Sequence, residues 1–560
     1  MKCTRILGLA VVLLLPTQAL AQTADIILIN GNVITVDERK PRAEAIAIQG
    51  ERILAAGSNE EIKHLRESRT HVVDLQGKTV IPGMVDGHLH FVGLGSDRGA
   101  SLDLSEARSE ADVAAQVRRA LGRVKRGEWI TGGDWHTGNW DREQWPTKGS
   151  LDQAAPNNPV LLRGMHGHAS WVNSKALEMA GITKNTPDPP GGKILRDDKT
   201  GEASGILIEN AQALVRNKIP ETSREPLKER IKKSIRLALS YGFVGAHDMG
   251  TSLQTVEAYK ELIDVGEFPF RINAIPRVRN SGALLDEILK RGPLVGYGNH
   301  RLTMRGVKLS IDGALGSRGA AMMLPYEDEP HNLGVIRVPY EQLYFILEKS
   351  LKAGFNVAIH AIGDRGNQMA LDAVEQALLG VPVQDHRIRV EHAQVVQLED
   401  LPRFARLGIL ASVQWIHCTL DMPWAEKRIG SERIRGAYAW RTLLNHGARL
   451  VGGSDEGAKT FSPFMGIFAA VTRQDEKGWP QGGWYPDQKL TRYEALKSYT
   501  LDAAYASFEE DVLGSITPGK YADVVVLSKD IMTVPAPEIL QTQVLMTMVG
   551  GKIVFERKEQ

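Results

Sequence analysis

Eight short apolar runs, most of them followed by a stretch patterned as a helix, divide the middle of this chain into strand–helix units. The first run ends at His88 and His90. The others are Val244–Ala246, Phe270–Ala274, Gly306–Ser310, Phe355–Ile359, Ile388–Val390, Leu410–Val413 and Leu450–Gly452. Helical patterning fills intervals such as Glu225–Ser240, Glu341–Ala353, Ala370–Leu379 and Thr491–Phe508. A strand that is apolar throughout has to be covered on both faces, and a helix after each strand supplies that cover. The alternation predicts an α/β fold with a parallel sheet, and eight units predict a sheet closed into a (β/α)8 TIM-like barrel.

Both chain ends read differently. Ile26–Ile29, Val33–Val36, Ala45–Ile48 and Val72–Leu75 are strand-like and separated by turns centred on Gly31, Gly50 and Gly77. Asp523–Leu527, Val544–Met548 and Lys552–Phe555 repeat the style. Neither end is large enough for a stable sheet alone. The expectation is one composite β-sandwich from 22–80 plus 512–560, attached to a barrel of 81–511. The interval 91–240 is too long for one connection and reads as an insertion. It holds Trp129, Trp135, Trp140, Trp145 and Trp171, half of the ten tryptophans, which predicts an aromatic core or a wall for a substrate.

Residues 1–21 have the pattern of a secretory signal. Lys2 and Arg5 precede an apolar Ile6–Leu15, and Ala19-Leu20-Ala21 forms a small-residue cleavage site. The apolar run is too short to span a bilayer. An exported protein is expected, cleaved after Ala21, periplasmic by the bacterial style of the signal, with no stable membrane anchor afterwards. Of the two cysteines, Cys3 leaves with the signal, so Cys418 has no intramolecular disulfide partner. A formal charge of +1 gives no support for nucleic-acid binding.

In barrels of this type the site lies at the C-terminal ends of the strands. His88 and His90, two apart on the first strand, project from one face about 7 Å apart. Lys308 lies on the fourth strand, His360 ends the fifth, His392 the sixth, and Asp455 follows the eighth. Imidazole and carboxylate donors favour a divalent metal, zinc first, with iron and manganese as alternatives. His166, His168 and Trp171 in the insertion, with Arg318 and Asp364, are candidate substrate contacts, each with a structural role as the alternative. His247 reads as structural. Glu391 reads as a scaffold residue facing away from His392 by strand alternation. His417 and Cys418 are adjacent but are not read as ligands.

The chain resembles the amidohydrolase superfamily, in the family 3 branch that includes N-substituted formamide deformylases. The resemblance rests on Pro82-Gly-Met-Val-Asp-Gly-His-Leu-His90, Gly167-His-Ala-Ser-Trp-Val-Asn-Ser174, Val307-Lys-Leu-Ser-Ile-Asp-Gly313, His360-Ala-Ile-Gly-Asp364, Val390-Glu-His392, Gly453-Ser-Asp455 and Gly514–Asp523. It implies that His88, His90 and Asp455 hold one metal, that His360 and His392 hold a second, and that an N-carboxylated Lys308 bridges the two. An unmodified lysine would leave one metal. It also implies hydrolysis of an amide-type C–N bond in a small N-acyl or N-formyl amine by a metal-activated water, with Asp455 moving the proton. Homo-oligomers are compatible with it. Lactone or cyclic-amide hydrolysis and deamination are alternatives within the superfamily. Deaminases there place a glutamate shortly after the fifth-strand histidine, where this chain has Ala361-Ile362-Gly363-Asp364. An exported binding or regulatory protein without catalysis is the alternative from another class.

Overall fold

The computed structural model describes residues 23–95, 101–140, 144–165, 167–219, 227–279, 282–455 and 461–558. The expected signal segment and His166 lie outside them.

Eight parallel strands carry the middle of the chain: β1 (Met84–Leu89), β2 (Phe243–Thr251), β3 (Arg271–Pro276), β4 (Gly306–Ser310), β5 (Asn356–Ala361), β6 (Arg389–His392), β7 (Leu410–Gln414) and β8 (Leu450–Gly453). β1, β2 and β3 are neighbours in one sheet, and β4 to β8 pair in succession in another. The two sheets meet twice. Leu302–Met304 runs beside β3, and past Arg305 the same stretch continues as β4 beside β5. On the other side Leu89 of β1 bridges Asp455, just beyond β8. The architecture is α/β, and the strands are buried on both faces, as their apolar runs require.

Two local differences from the sequence expectation have physical causes. The helix expected over Thr491–Phe508 is two helices, Arg492–Ser498 and Leu501–Ala506. It breaks at Tyr499, whose carbonyl accepts a 2.6 Å hydrogen bond from the Val85 amide of β1 instead of continuing the helix. The helix Leu227–Ser240 packs Ile231, Ile235, Ala238 and Leu239 into the main core, so it belongs to the strand–helix alternation and not to the insertion. The insertion builds its own six-stranded sheet, from Ser101–Asp103 to Ala203–Glu209, with Trp135, Trp140 and Trp171 packed in a separate core. Among the described residues no helix is long and apolar enough to cross a membrane.

The chain ends interleave. One six-stranded sheet places Val524–Leu527, Val544–Val549 and Lys552–Glu556 beside Thr79–Pro82, Asn32–Ile34 and Arg42–Ala43. A four-stranded sheet of Ile26–Ile29, Ala45–Gln49, Arg52–Gly57 and His71–Asp74 shares its core through Leu28, Ile46, Val80 and Val524. Arg271 at the start of β3 fastens these sheets to the eight parallel strands. Its guanidinium is buried and grips Asp523 at 2.5 and 2.9 Å, while Asp523 also accepts the Gly550 amide. Asp523→Ala should therefore cost about 3–5 kcal/mol, because it strands a buried guanidinium. Urea unfolding reads this, and the pair Arg271→Met with Asp523→Leu should recover part of the loss. A single-variant cost under about 1 kcal/mol would show the pair to be idle.

Candidate metal centre

The centre begins with why β1 and β8 can touch. A Cβ on Gly87 would lie 2.4 Å from Val451 and 2.6 Å from the Gly452 carbonyl, so only glycine allows this approach. Beside it, buried Asp86 accepts from the His88 amide (3.1 Å), the Ser454 amide (3.1 Å) and the Ser454 hydroxyl (2.6 Å). Burial pushes the Asp86 carboxyl up to about 6 against those hydrogen bonds. The run Val-Asp-Gly-His thus joins the first and last strands at the level of their ligand residues.

His88 and His90 both bring Nε2 to 3.4 Å from the same oxygen of Asp455. His88 is oriented from behind, its Nδ1–H donating to Glu391 at 2.6 Å, with the tautomer assigned from this partner. Glu391 is in turn held by Arg389 at 2.7 and 3.1 Å. Burial alone would raise the Glu391 carboxyl, but Arg389 and His88 outweigh it and hold it well below the usual range. The expectation that Glu391 faces away from the site is therefore corrected. The chain turns at His392 and Ala393, with φ of 75° and 43°, which brings the residues on both sides of the alternation to one centre. The His88 and His392 rings lie 5.0 Å apart. His247 is structural, as read: its Nδ1 accepts from Arg389 at 2.6 Å.

His360 and His392 form the second pair, with ring centroids 4.5 Å apart. His360 Nε2 lies 3.4 Å from Asp312, which is fixed by the amides of Ala321, Ile362 and Gly363. His168 reaches in from the insertion, 5.2 Å from the His360 ring, with Nδ1 on Glu209 at 2.8 Å. His417, not read as a ligand, joins them. Its ring stacks on His392 at 5.9 Å, and its Nε2 is 3.7 Å from Asp455. Only its place just past β7 hinted at this. Two donor groups result, His88 with His90 and Asp455, and His392 with His417 and Asp455, each with ligand atoms within 4.8 Å of one another.

Lys308 is buried, and its Nζ has no hydrogen-bond partner among the described residues. Burial brings the amine down to about 7, although Glu391 favours its charge. His88, His90, Lys308, His360, His392 and Asp455 all line one cleft of about 730 Å³. Three expected substrate contacts lie elsewhere. Arg318 is taken up by Asp328 and Glu329. Asp364 accepts the amides of Met323 and Arg365. Trp171 is buried in the insertion core, its indole donating to the Thr147 carbonyl. In each case a local partner claims the polar group.

These residues fit a borderline divalent metal. Buried imidazoles held neutral, a buried Nδ1 on His392 without a partner, and a carboxylate shared by both groups form an N/O donor set. Because Glu391 aims His88, Glu391→Gln should weaken metal retention about 10–100-fold in a chelator competition. Unchanged affinity would remove it from that role.

The sequence profile described as the amidohydrolase family matches residues 71–555. The chain is 34% identical over 543 residues to Protein LONG AFTER FAR-RED 3 of Arabidopsis thaliana, covering 95% of this chain and 92% of that protein. It is 29% identical over 558 residues to N-substituted formamide deformylase of Arthrobacter pascens, covering 96% and 99%. The crystal structure of an uncharacterized metal-dependent hydrolase from Pyrococcus horikoshii OT3 is similar at a TM-score of 0.72 and 29% identity, over 91% of this chain and 99% of that one.

Proposed function

The chain belongs to the amidohydrolase family, an enzyme acting on carbon–nitrogen bonds, and from that premise we propose that it hydrolyses the amide bond of N-formyl or N-acyl amines. Its relatives imply a metal-dependent hydrolase with a TIM-barrel-containing fold. The finer reading takes the ring of eight neighbouring strands as a (β/α)8 barrel over 81–511. The interleaved ends, 22–80 plus 512–560, are then a β-sandwich, and 1–21 is an export signal. Periplasmic protein should accordingly begin at Gln22 on N-terminal sequencing.

The observation that carries the reading is the meeting of His88, His90, Lys308, His360, His392 and Asp455 in one cleft. His88, His90 and Asp455 would hold one divalent metal, zinc by its donors. His360 and His392 would hold a second, with carboxylated Lys308 between. A metal held there would supply a Lewis acid for the amide carbonyl and would lower the pKa of a water towards neutrality. Asp455 accepts the proton of the attacking water and passes it to the departing amine nitrogen. Although burial opposes its charge, the imidazoles of His88, His392 and His90 around it hold the Asp455 carboxyl well below its ordinary value, so it is ionised. His168, braced by Glu209, faces the cleft from the insertion and would orient the substrate carbonyl.

Elemental analysis paired with a panel of formamides, acylamines, lactones and amino-heterocycles tests this. About one or more metals per chain, with amine released from a formamide or acylamine, is the expected result. Ammonia released from a heterocycle would instead favour deamination. A metal-replete protein that cleaves no amide would reject the proposal.

A further inference from the structure

Accepting amide hydrolysis as proposed, we infer that Glu209 is a positioning residue: it fixes the tautomer of His168, so that Nε2 accepts the N–H of the substrate amide. The two residues stand opposite each other at the ends of neighbouring antiparallel strands of the insertion, Ala169–Val172 and Ala203–Glu209. Ala169 pairs with Ile208, and next to that pair the Glu209 amide donates to the His168 carbonyl at 3.0 Å. The side chains meet as well, with His168 Nδ1 2.8 and 3.0 Å from the two oxygens of Glu209. A carboxylate only accepts, so the nitrogen facing it carries the proton, a tautomer assigned from this partner. In the neutral ring Nε2 then offers a lone pair, an acceptor for an N–H. An amide group is planar, so holding its N–H also fixes the direction of its carbonyl.

His168 borders both the cleft that gathers the candidate ligands and a neighbouring recess of about 310 Å³ walled by Trp135, Trp145 and Met165. An amide nitrogen lies between its carbonyl carbon and its substituent. With the carbonyl at the ligand residues and an apolar substituent in the recess, the nitrogen falls beside the ring that borders both. Glu209 is built into this place under strain. Its backbone is left-handed, with φ of 50°, in a residue that is not glycine. Its side chain is buried and paired at 2.9 Å with Arg337, which also donates to Asn210 at 2.9 Å. The Arg337 amide in turn donates to the Ile311 carbonyl just past β4. A Cβ on Gly313, in the same loop, would lie 2.1 Å from a Glu209 oxygen, so the loop leaves room for the carboxylate. Arg337 balances the charge of Glu209, so the imidazole need not be charged to pair with it. A clamp between insertion and barrel strands would need only the contacts of Arg337, and the two-oxygen contact with His168 goes beyond them.

N-formyl-2-phenylethylamine and its N-methyl analogue differ in the amide N–H. With metal-loaded enzyme, kcat/KM should favour the N–H substrate by at least about tenfold, and His168→Ala, which removes the acceptor, should erase most of that preference. Glu209→Gln tests the positioning. Arg337 can only donate, so it would keep the glutamine oxygen and turn the NH2 group to His168 Nδ1. The ring proton then moves to Nε2, where it opposes the substrate N–H. This variant should lower kcat/KM for the N–H substrate at least about tenfold and for the N-methyl analogue far less, and it should add nothing on top of His168→Ala. Equal damage to both substrates, or a further loss on top of His168→Ala, would make Glu209 a structural clamp and overturn the inference while leaving amide hydrolysis standing. Nitrogen-15 NMR of histidine-labelled enzyme, with His168 assigned by its loss in His168→Ala, reads the tautomer without turnover. A proton on Nδ1 in the wild type that shifts to Nε2 in Glu209→Gln supports the inference, and an unchanged tautomer refutes it. Were neither probe cleaved, the proposed function would be in question, and this spectrum would decide the role of Glu209 alone.

Discussion

Asp455→Ala should lower kcat/KM by about three orders of magnitude or more, and Asp455→Asn should do nearly as much while keeping more of the metal. The two losses have different origins. Asp455 is the one residue shared by both donor groups, 3.4 Å from His88 and His90 and 3.7 Å from His417. Alanine would remove a candidate donor from each group, so metal content and rate should fall together. Asparagine keeps an oxygen donor of similar shape but cannot accept a proton. In that variant the rate should collapse further than the metal content does. Steady-state assays paired with elemental analysis of each variant separate the effects. A metal-replete Asp455→Asn enzyme that turned over at the wild-type rate would take the proton transfer away from this carboxylate.

The residues legible in sequence were those whose position follows from strand periodicity. His88 and His90 are expected on one face because a strand repeats every second residue, Lys308 lies within the run of β4, and His360, His392 and Asp455 stand at or just past strand ends because apolar runs stop there. The unread part depends on departures from regular geometry. Glu391 looked outward under ideal alternation, and the positive φ values at His392 and Ala393 bring it and His392 to one centre. His417 lies in the first turn of the helix Trp415–Asp421, whose direction no periodicity sets. Arg318 and Asp364 have the chemistry of substrate contacts, but Asp328 and the Met323 amide are nearer partners, and pairings across loops are not written in spacing.

Lys308→Met should cost about a thousandfold in rate and lower the bound metal by about one per chain, as expected for loss of a bridging ligand. The argument starts from burial. An ammonium in this position would keep its charge with no hydrogen-bond partner among the described residues, beside imidazoles and the Arg277 guanidinium. The native site favours the neutral amine, and a neutral amine can act as a nucleophile. Its lone pair forms the N–C bond to carbon dioxide, one C=O π pair moves onto oxygen, and the nitrogen gives up a proton. The product carbamate is an anionic oxygen donor in place of a cation. Native mass spectrometry of the wild type should then show one added carbon dioxide, absent from Lys308→Met. A Met variant with full metal content and full rate would make Lys308 a packing residue. One that loses rate but keeps its metal would make it a cation that positions substrate, consistent with its place beside the arginines.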